Sequence, residues 1–365
     1  MKEKIGKYLL LAFVWCLIIG YVVYSGSILR LHHTTQVVGS VDIEVTDSTA
    51  NGHLVSSRKI REWILHSGIS TIGTPVEEVN LSGIEQIITK NGFVKKVDTY
   101  VTYDGVLHIE VHQQRPMMRL LIDGYDTYVT HEGYVFRSPA ASALYVPVVT
   151  GGYRPPFPSN YEGNVRDYVD QQIDESNKRI AKIELDKIPL YKKEDHLREI
   201  LDSVNSQRLK QGLFQSDDEF AEKVRDLRAR KHKKRRQISG ALRYNDRQID
   251  AVTARSDAEY RKQKKLEKRY EDFLKLINFV KYIEQDSFWR AEIVQIVAST
   301  MSSGDLRLEL IPRSGNYTVS FGTVDNVEEK LDKLLTFYEN GLRNIGWESF
   351  RRISVEYKGQ VVCTK

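Results

Sequence analysis

This sequence has almost no cysteine: Cys16 and Cys363 are the only two in 365 residues, and they stand at opposite ends. That excludes a disulfide-stapled scaffold, and no CxxC pair exists from which a structural zinc site or a redox dithiol could be built. The short signatures of common chemistry are missing too. There is no GxSxG nucleophile elbow, no GxxxxGK[ST] phosphate loop and no helical HExxH zinc motif. No carboxylate stands isolated in an apolar run, where a general acid of raised pKa would sit. An enzyme is not expected, and no cofactor is implied. At 41% hydrophobic, 10% aromatic and 28% charged residues, the chain is not wholly disordered, collagen-like or a multi-span membrane protein. Its length suits two or three domains with ample core.

One long apolar run is present. Lys7 and Arg30 bracket 22 uncharged residues, 8–29, which as a helix would measure ~33 Å, enough for a ~30 Å hydrocarbon layer. Lys2, Lys4 and Lys7 precede it against a single Glu3, so the expectation is a transmembrane helix at 8–29, a cytoplasmic amino terminus at 1–7 and an extracytoplasmic remainder. The rival is a cleaved signal peptide. Its apolar core usually spans only ~7–15 residues, although Ser25-Gly26-Ser27 offers small residues for a cut.

Charge divides the rest. Residues 163–275 hold 29 Lys+Arg and 22 Asp+Glu, a net of +7; the remaining 252 residues hold 54 − 29 = 25 and 49 − 22 = 27, a net of −2. The middle therefore reads as a long charged helical insertion between globular parts. Pro189, Gly212 and Gly240 punctuate it and suggest three or more helical pieces. Its densest run, RARKHKKRR at 228–236, has no interleaved aromatics and no reader motif, so nucleic acid is not expected. A solvated helical face is the simpler reading, with anionic lipid or acidic wall polymers as alternatives.

Before the insertion, residues 37–116 give a strand at Val41, Ile43 and Val45, then a helix opened by Ser57 with Ile60, Trp63 and Ile64 on one face. A second helix starts at Ser82 with Glu85 as a capping box, and two alternating strands follow, joined by Asp104-Gly105, a hairpin signal. Residues 117–150 read as a β-meander, and Gly151-Gly152 with Pro155-Pro156-Phe157-Pro158 marks the entry to the insertion. After it, a strand–strand–helix–strand–strand order is expected. The helix opens at a capping box of Asp325 and Glu328 and carries Val327, Leu331, Leu334, Leu335, Tyr338 and Leu342 as a core stripe. The final strands alternate at Ile353, Val355 and Tyr357, then at Val361 and Cys363.

Strand, helix, helix, strand, strand directly after one anchor resembles a POTRA domain. The segments FVKKVDTYVTYDGVLHIEVHQQRP, DGYDTYVTHEGYVFRSP at 123–139, FVKYIEQDSFWRAEIVQIV at 279–297, LELIPRSGNYTVSFGTVDNVEEKLDKLLTFYENGL at 308–342 and ISVEYKGQVVCTK at 353–365 resemble the FtsQ/DivIB cell-division family, in its Bacteroidetes-like form. The resemblance covers about 250 residues, 1–162 and 276–365. It implies an α+β architecture: a single amino-terminal transmembrane helix, a POTRA-like domain at 37–116, and a mixed sheet domain at 117–162 and 276–365 that the insertion interrupts. It implies a non-enzymatic scaffold at the inner membrane and septum, holding FtsB/DivIC-like and FtsL-like coiled-coil partners so that septal wall synthesis is controlled. In that family the carboxyl-terminal end docks an extended piece of the FtsB/DivIC-like partner. Ile353, Val355, Tyr357, Val361 and Cys363 are the candidate contacts, with Tyr357 where a family tyrosine contributes. The family's following tryptophan has no counterpart here.

Other classes were weighed. His108, Glu110 and His112 project from one face of a strand, and two imidazoles with a carboxylate could ligate zinc; a polar strand face is the plainer reading. A wall-active or metal-dependent hydrolase is the alternative function. An outer-membrane assembly factor is disfavoured, because no series of ~10-residue barrel strands is present.

Overall fold

The computed structural model describes residues 13–26, 36–46, 54–138, 144–212 and 214–365. Residues 13–26 form a helix (α1) with exposed apolar side chains such as Trp15 and Tyr21. The other residues of the expected span, 8–12 and 27–29, lie outside the described residues, as do 1–7. The fourteen described helical residues make ~21 Å, and among the described residues no helix is long and apolar enough to cross a membrane.

Of the described residues, those within Met1–Tyr153, Pro158–Asn164 and Lys275–Lys365 form one compact unit, and those within Arg154–Phe157 and Val165–Leu274 a second. The first unit opens with the expected strand–helix–helix–strand–strand order: β1 (Ser40–Thr46), α2 (Ser57–His66), α3 (Leu81–Thr89), β2 (Val94–Val101) and β3 (Val106–Gln113). β3 is central, parallel to β1 and antiparallel to β2. Ile60 and Ile64 of α2 and Ile84 and Ile88 of α3, spaced four apart, join Leu107, Ile109 and Val111 in one core. At the β2–β3 turn Gly105 has φ +79, and a Cβ there would meet the Val37 carbonyl at 2.8 Å. The capping box expected at Ser82 is not formed. Asn80 caps α3 instead, accepting from Gly83 N at 2.9 Å. Glu85 is thereby released to accept from Thr99 N and Oγ1 (3.1 and 2.8 Å), tying α3 to β2.

A ten-stranded sheet completes the unit, built from β4 (Pro116–Ile122), β5 (Tyr125–Thr130), β6 (Tyr134–Arg137), β7 (Val148–Thr150), β8 (Gly163–Asn164), β9 (Ile293–Thr300), β10 (Leu306–Pro312), β11 (Thr318–Thr323), β12 (Arg352–Ser354) and β13 (Val362–Thr364). Its order is β13-β12-β11-β10-β9-β7-β4-β5-β6-β8. β4, β5 and β6 form the expected meander. β7 does not extend it: it returns to lie parallel to both β4 and β9. Three strands, not two, precede the helix α7 (Val327–Phe337), because Ile293–Thr300 forms a strand of its own. α7 is the crossover between parallel β11 and β12. Leu331, Leu334, Tyr338 and Leu342 are buried as expected, whereas Val327 and Leu335 are half-buried. Asp325 does not cap this helix. Its Oδ1 accepts from Lys330 Nζ at 3.1 Å, and left-handed Asn326 starts the helix without a side-chain cap.

The second unit is two antiparallel helices, α4 (Val165–Ser206) and α5 (Asp217–Gln285), of which residues 275–285 belong to the first unit. Three or more pieces were expected, but only Gly212 falls in a break. Pro189 lies inside α4, beside exposed Leu185 whose carbonyl water can serve. Exposed Gly240 costs about 1 kcal/mol in a helix interior, a small charge on a helix of 69 residues. The inward positions follow a heptad spacing: Val169, Ser176, Ile180, Ile183, Lys187 and Leu190 on α4, Leu242, Asn245, Ile249, Val252, Ser256 and Glu259 on α5. Polar residues interrupt the seam, so it looks thin in sequence. They are used to set register. Asn245 Nδ2 donates to the Leu190 carbonyl at 2.8 Å, and Arg179 Nε to Glu259 Oε2 at 3.1 Å.

The last turns of α5 supply core to the first unit: Leu276, Ile277, Phe279, Val280 and Ile283 are all buried, with the Phe279 and Phe321 rings 4.9 Å apart. Replacing residues 165–274 with a short Gly/Ser linker is therefore expected to leave one cooperative unfolding transition for the first unit. In that shortened chain Phe279→Ala should cost about 3–5 kcal/mol. Denaturant titration followed by tryptophan fluorescence checks both, and loss of the folded state on excision would place essential core within 165–274.

Candidate partner-docking edge

β12 and β13 close one side of the ten-stranded sheet. Arg352, Ile353 and Ser354 pair with Thr364, Cys363 and Val362 of β13, and β12 in turn pairs with β11. Among the described residues β13 has a strand on one side only, so its outer N–H and C=O groups face outward. The five expected contact residues divide into two groups. Ile353 and Val355 are buried at 0% exposure, and Val355 N donates to the Ser320 carbonyl at 3.0 Å. Alternation in the sequence cannot distinguish an edge from a strand packed on both sides; with helix α7 crossing from β11 to β12, these two side chains hold the edge in place from within. Tyr357 is exposed, past the end of β12, and Val361 and Cys363 are half-buried. The expected strand from Ile353 to Tyr357 is regular only as far as Ser354, and the turn expected at Lys358-Gly359 follows, with Gly359 at φ +70.

Two contacts hold the turn. Lys333 Nζ of α7 donates to the Tyr357 carbonyl at 2.5 Å, and Arg307 Nη2 reaches Glu356 Oε1 at 2.5 Å. Between α7 and the turn lies an open groove of about 610 Å³, lined by Lys333, Phe337 and Gly341 on one side and by Gly359, Gln360 and Val361 on the other. Sequence reading missed it, since the groove exists only where helix and turn meet. Burial pushes the Cys363 thiol above its ordinary value, which makes it a poor nucleophile near neutrality.

His108, Glu110 and His112 do share one face of β3, where His108 and Glu110 both meet Tyr100 and His112 meets Thr46. His108 Nδ1 lies 3.4 Å from Asp42 Oδ2, and its ring stacks on Tyr100. Tyr100 OH donates to Glu110 Oε1 at 2.8 Å, and His112 Nδ1 lies 2.9 Å from Thr46 Oγ1. Among the described residues no group of three or more His, Cys, Asp or Glu could hold a metal ion.

The chain is matched by two family models: the one described as POTRA-like domain over residues 36–112, and the one described as FtsQ/DivIB, C-terminal related, over residues 251–364. Together they support an FtsQ/DivIB-type family. No curated protein matches the chain. The carboxyl-terminal match begins within α5 and takes in β9–β13, so the docking edge lies inside the FtsQ/DivIB-related part. Domains of these two kinds suggest a cell-division protein, and the FtsQ/DivIB family is generally non-enzymatic.

One titratable pair in this FtsQ/DivIB-type chain was not legible beforehand. His131 Nε2, in the β5–β6 turn, lies 3.0 Å from Glu284 Oε2 near the end of α5. Burial pushes Glu284 up to about 7, with Arg290 acting weakly against it. Burial, then Lys281, holds His131 below its ordinary value. A raised acid pKa leaves stability intact below about 4.5, where both folded and unfolded carboxyls are protonated, and lowers it as pH rises through 7. Glu284→Gln should remove that decline, making the variant more stable than wild type at pH 8. Denaturant midpoints across pH 4.5 to 8 check this; parallel curves for the two proteins would show that Glu284 does not titrate as described.

Proposed function

We propose that the protein is a bitopic, non-enzymatic divisome scaffold that holds FtsB/DivIC-like and FtsL-like partners and so helps control septal peptidoglycan synthesis. In this reading residues 8–29 anchor it in the inner membrane with the amino terminus in the cytoplasm, and the remainder works in the periplasm at the division septum. The POTRA-like domain occupies 37–116, and the sheet domain 117–162 and 276–365. One observation carries the proposal: the outer side of β13 is open in the FtsQ/DivIB-related region, beside exposed Tyr357 and a groove whose lining includes Phe337 and Val361. An extended partner segment adds to such an edge through main-chain hydrogen bonds, while side-chain pockets select its sequence. Confinement to a membrane raises the effective concentration of partners held in the same layer.

Tyr357→Ala should weaken capture of the FtsB/DivIC-like partner by roughly thirtyfold, the equivalent of a ~2 kcal/mol aromatic hot spot. Truncation after Lys358 removes β13 and should abolish capture while the POTRA-like domain stays folded. Full-strength partner binding and normal division in the truncated strain would dismiss the edge as the site. The topology has a separate check. Reporters fused before Lys7 and after Arg30 are expected on opposite sides of the membrane, and a mature protein beginning near Ser27 would refute the anchor.

A further inference from the structure

We propose that the distal end of the α4–α5 hairpin is a membrane-contact surface, built to lie on a bilayer rich in anionic phospholipid head groups. The hairpin is not symmetric at its tip. Lys231 Nζ donates to the carbonyls of Asn205 and Gln207 (2.8 and 2.9 Å), and Arg235 Nε to Asn205 Oδ1 at 2.6 Å. These bonds set the end of α4, at Ser206, opposite residues 231–235 of α5. α5 starts at Asp217, so its first 231 − 217 = 14 residues continue beyond α4, an overhang of ~21 Å.

The overhang is amphipathic. Phe220, Val224 and Leu227 recur at spacings of four and three and are half-buried, and residues 207–216 connect α4 to this stretch in the chain. That connection itself exposes apolar surface: Leu209 is 43% exposed and Phe214 has its whole side chain in solvent. The cations gather mostly behind the overhang: residues 217–230 hold 4 Lys+Arg against 5 Asp+Glu, while Arg208, Lys210 and the five cations of 231–236 supply the surplus. Residues 205–236 contain 11 Lys+Arg against 5 Asp+Glu, a net of +6, so nearly all of the +7 of residues 163–275 gathers at this end. Arg228, Lys233, Lys234 and Arg236 are exposed. Three of the five acids, Asp217, Asp218 and Glu219, occupy the first turn of α5, where the helix dipole favours them.

A basic run adjoining a narrow apolar stripe and a protruding phenylalanine has the composition of an interfacial segment. Its cations meet anionic head groups, and its apolar tip enters the boundary with the acyl chains. A soluble polyanion would satisfy the charge but leave Phe214 and Leu209 in water. Nucleic acid is disfavoured further, because the basic run 228–236 carries no aromatic side chain on which a base could stack.

The test uses the full chain and vesicles of phosphatidylcholine with or without phosphatidylglycerol. Residues 8–29 contribute apolar binding to both vesicle types, so the informative quantity is the gain from phosphatidylglycerol. That gain should fall about tenfold or more in the triple variant Lys233→Glu, Lys234→Glu, Arg236→Glu, and should shrink steeply with salt. A fluorophore on Phe214→Cys, in a Cys16→Ser, Cys363→Ser background, should shift to the blue on the anionic vesicles and not on the neutral ones. Circular dichroism checks that each variant keeps its helix content; should the triple variant unfold, the fluorophore shift decides alone. An unshifted probe on anionic vesicles overturns the proposal. Equal binding by the triple variant does the same. Tight binding of a DNA duplex with the probe unmoved on vesicles would assign the patch to nucleic acid, and self-association lost in Phe214→Ser with no lipid response would assign it to a second copy.

Discussion

The parallel pairing of β7 with β9 is the constraint on which the first unit depends. It sets Val148, Val149 and Thr150 against Gln295, Ile296 and Val297, residues more than 140 positions apart in the chain. Gln295 Nε2 reinforces the register by donating to Thr150 Oγ1 at 2.8 Å. Just past this pairing the chain must leave the sheet, and Gly151 makes that possible. Its φ is +106, and a Cβ would run into the Ala298 carbonyl, so any other residue there would push the two strands apart. Tyr153 N then takes that same carbonyl at 3.0 Å. Without this junction, β4–β6 and β9–β13 would be two separate small sheets, each with a further open edge.

Once the junction is made, the sheet tolerates a long excursion between its two halves. Loop-closure cost rises only slowly with loop length, and the excursion supplies its own order through the α4–α5 seam. Along that seam Asn245 bonds across to the Leu190 carbonyl, and Arg179 pairs with Glu259 at its margin. A buried polar contact contributes little net stability but penalises slipped registers. The same logic recurs at α7. Lys330, 6% exposed, directs its ammonium to the Thr323 carbonyl and to Asp325 and lies over the Phe321 ring. This fixes the start of the helix, and Lys333 three residues on fixes the turn that bears Tyr357.

The candidate docking surface follows from what this leaves unpaired. Core side chains from β11, β12 and α7 make a rigid backing, and the outer strand β13 contributes main-chain groups that nothing among the described residues takes up. A binding edge backed by packed core loses little order when a partner strand adds. A family that is generally non-enzymatic suits such a surface better than a catalytic cleft.

Local rules were enough for much of this. Alternation and four-residue spacing determined β1–β3 with α2 and α3, and Asp104-Gly105 determined their hairpin, because each signal concerns neighbours in the chain. Charge density set residues 163–275 apart, and the second unit falls largely within that stretch, at Val165–Leu274, while the ordered segments pointed to the family. The tertiary structure decided the remainder. Which residue caps a helix depends on competing partners, so Glu85 went to Thr99 and Asp325 to Lys330. Whether a strand is central or at an edge depends on what lies beside it, so Ile353 and Val355 became core while Tyr357 stayed outside. The β7–β9 pairing, the His131–Glu284 contact and the overhang of α5 past Ser206 all join residues distant in sequence. No periodicity within one segment records such pairings, since each arises only when two folded elements meet.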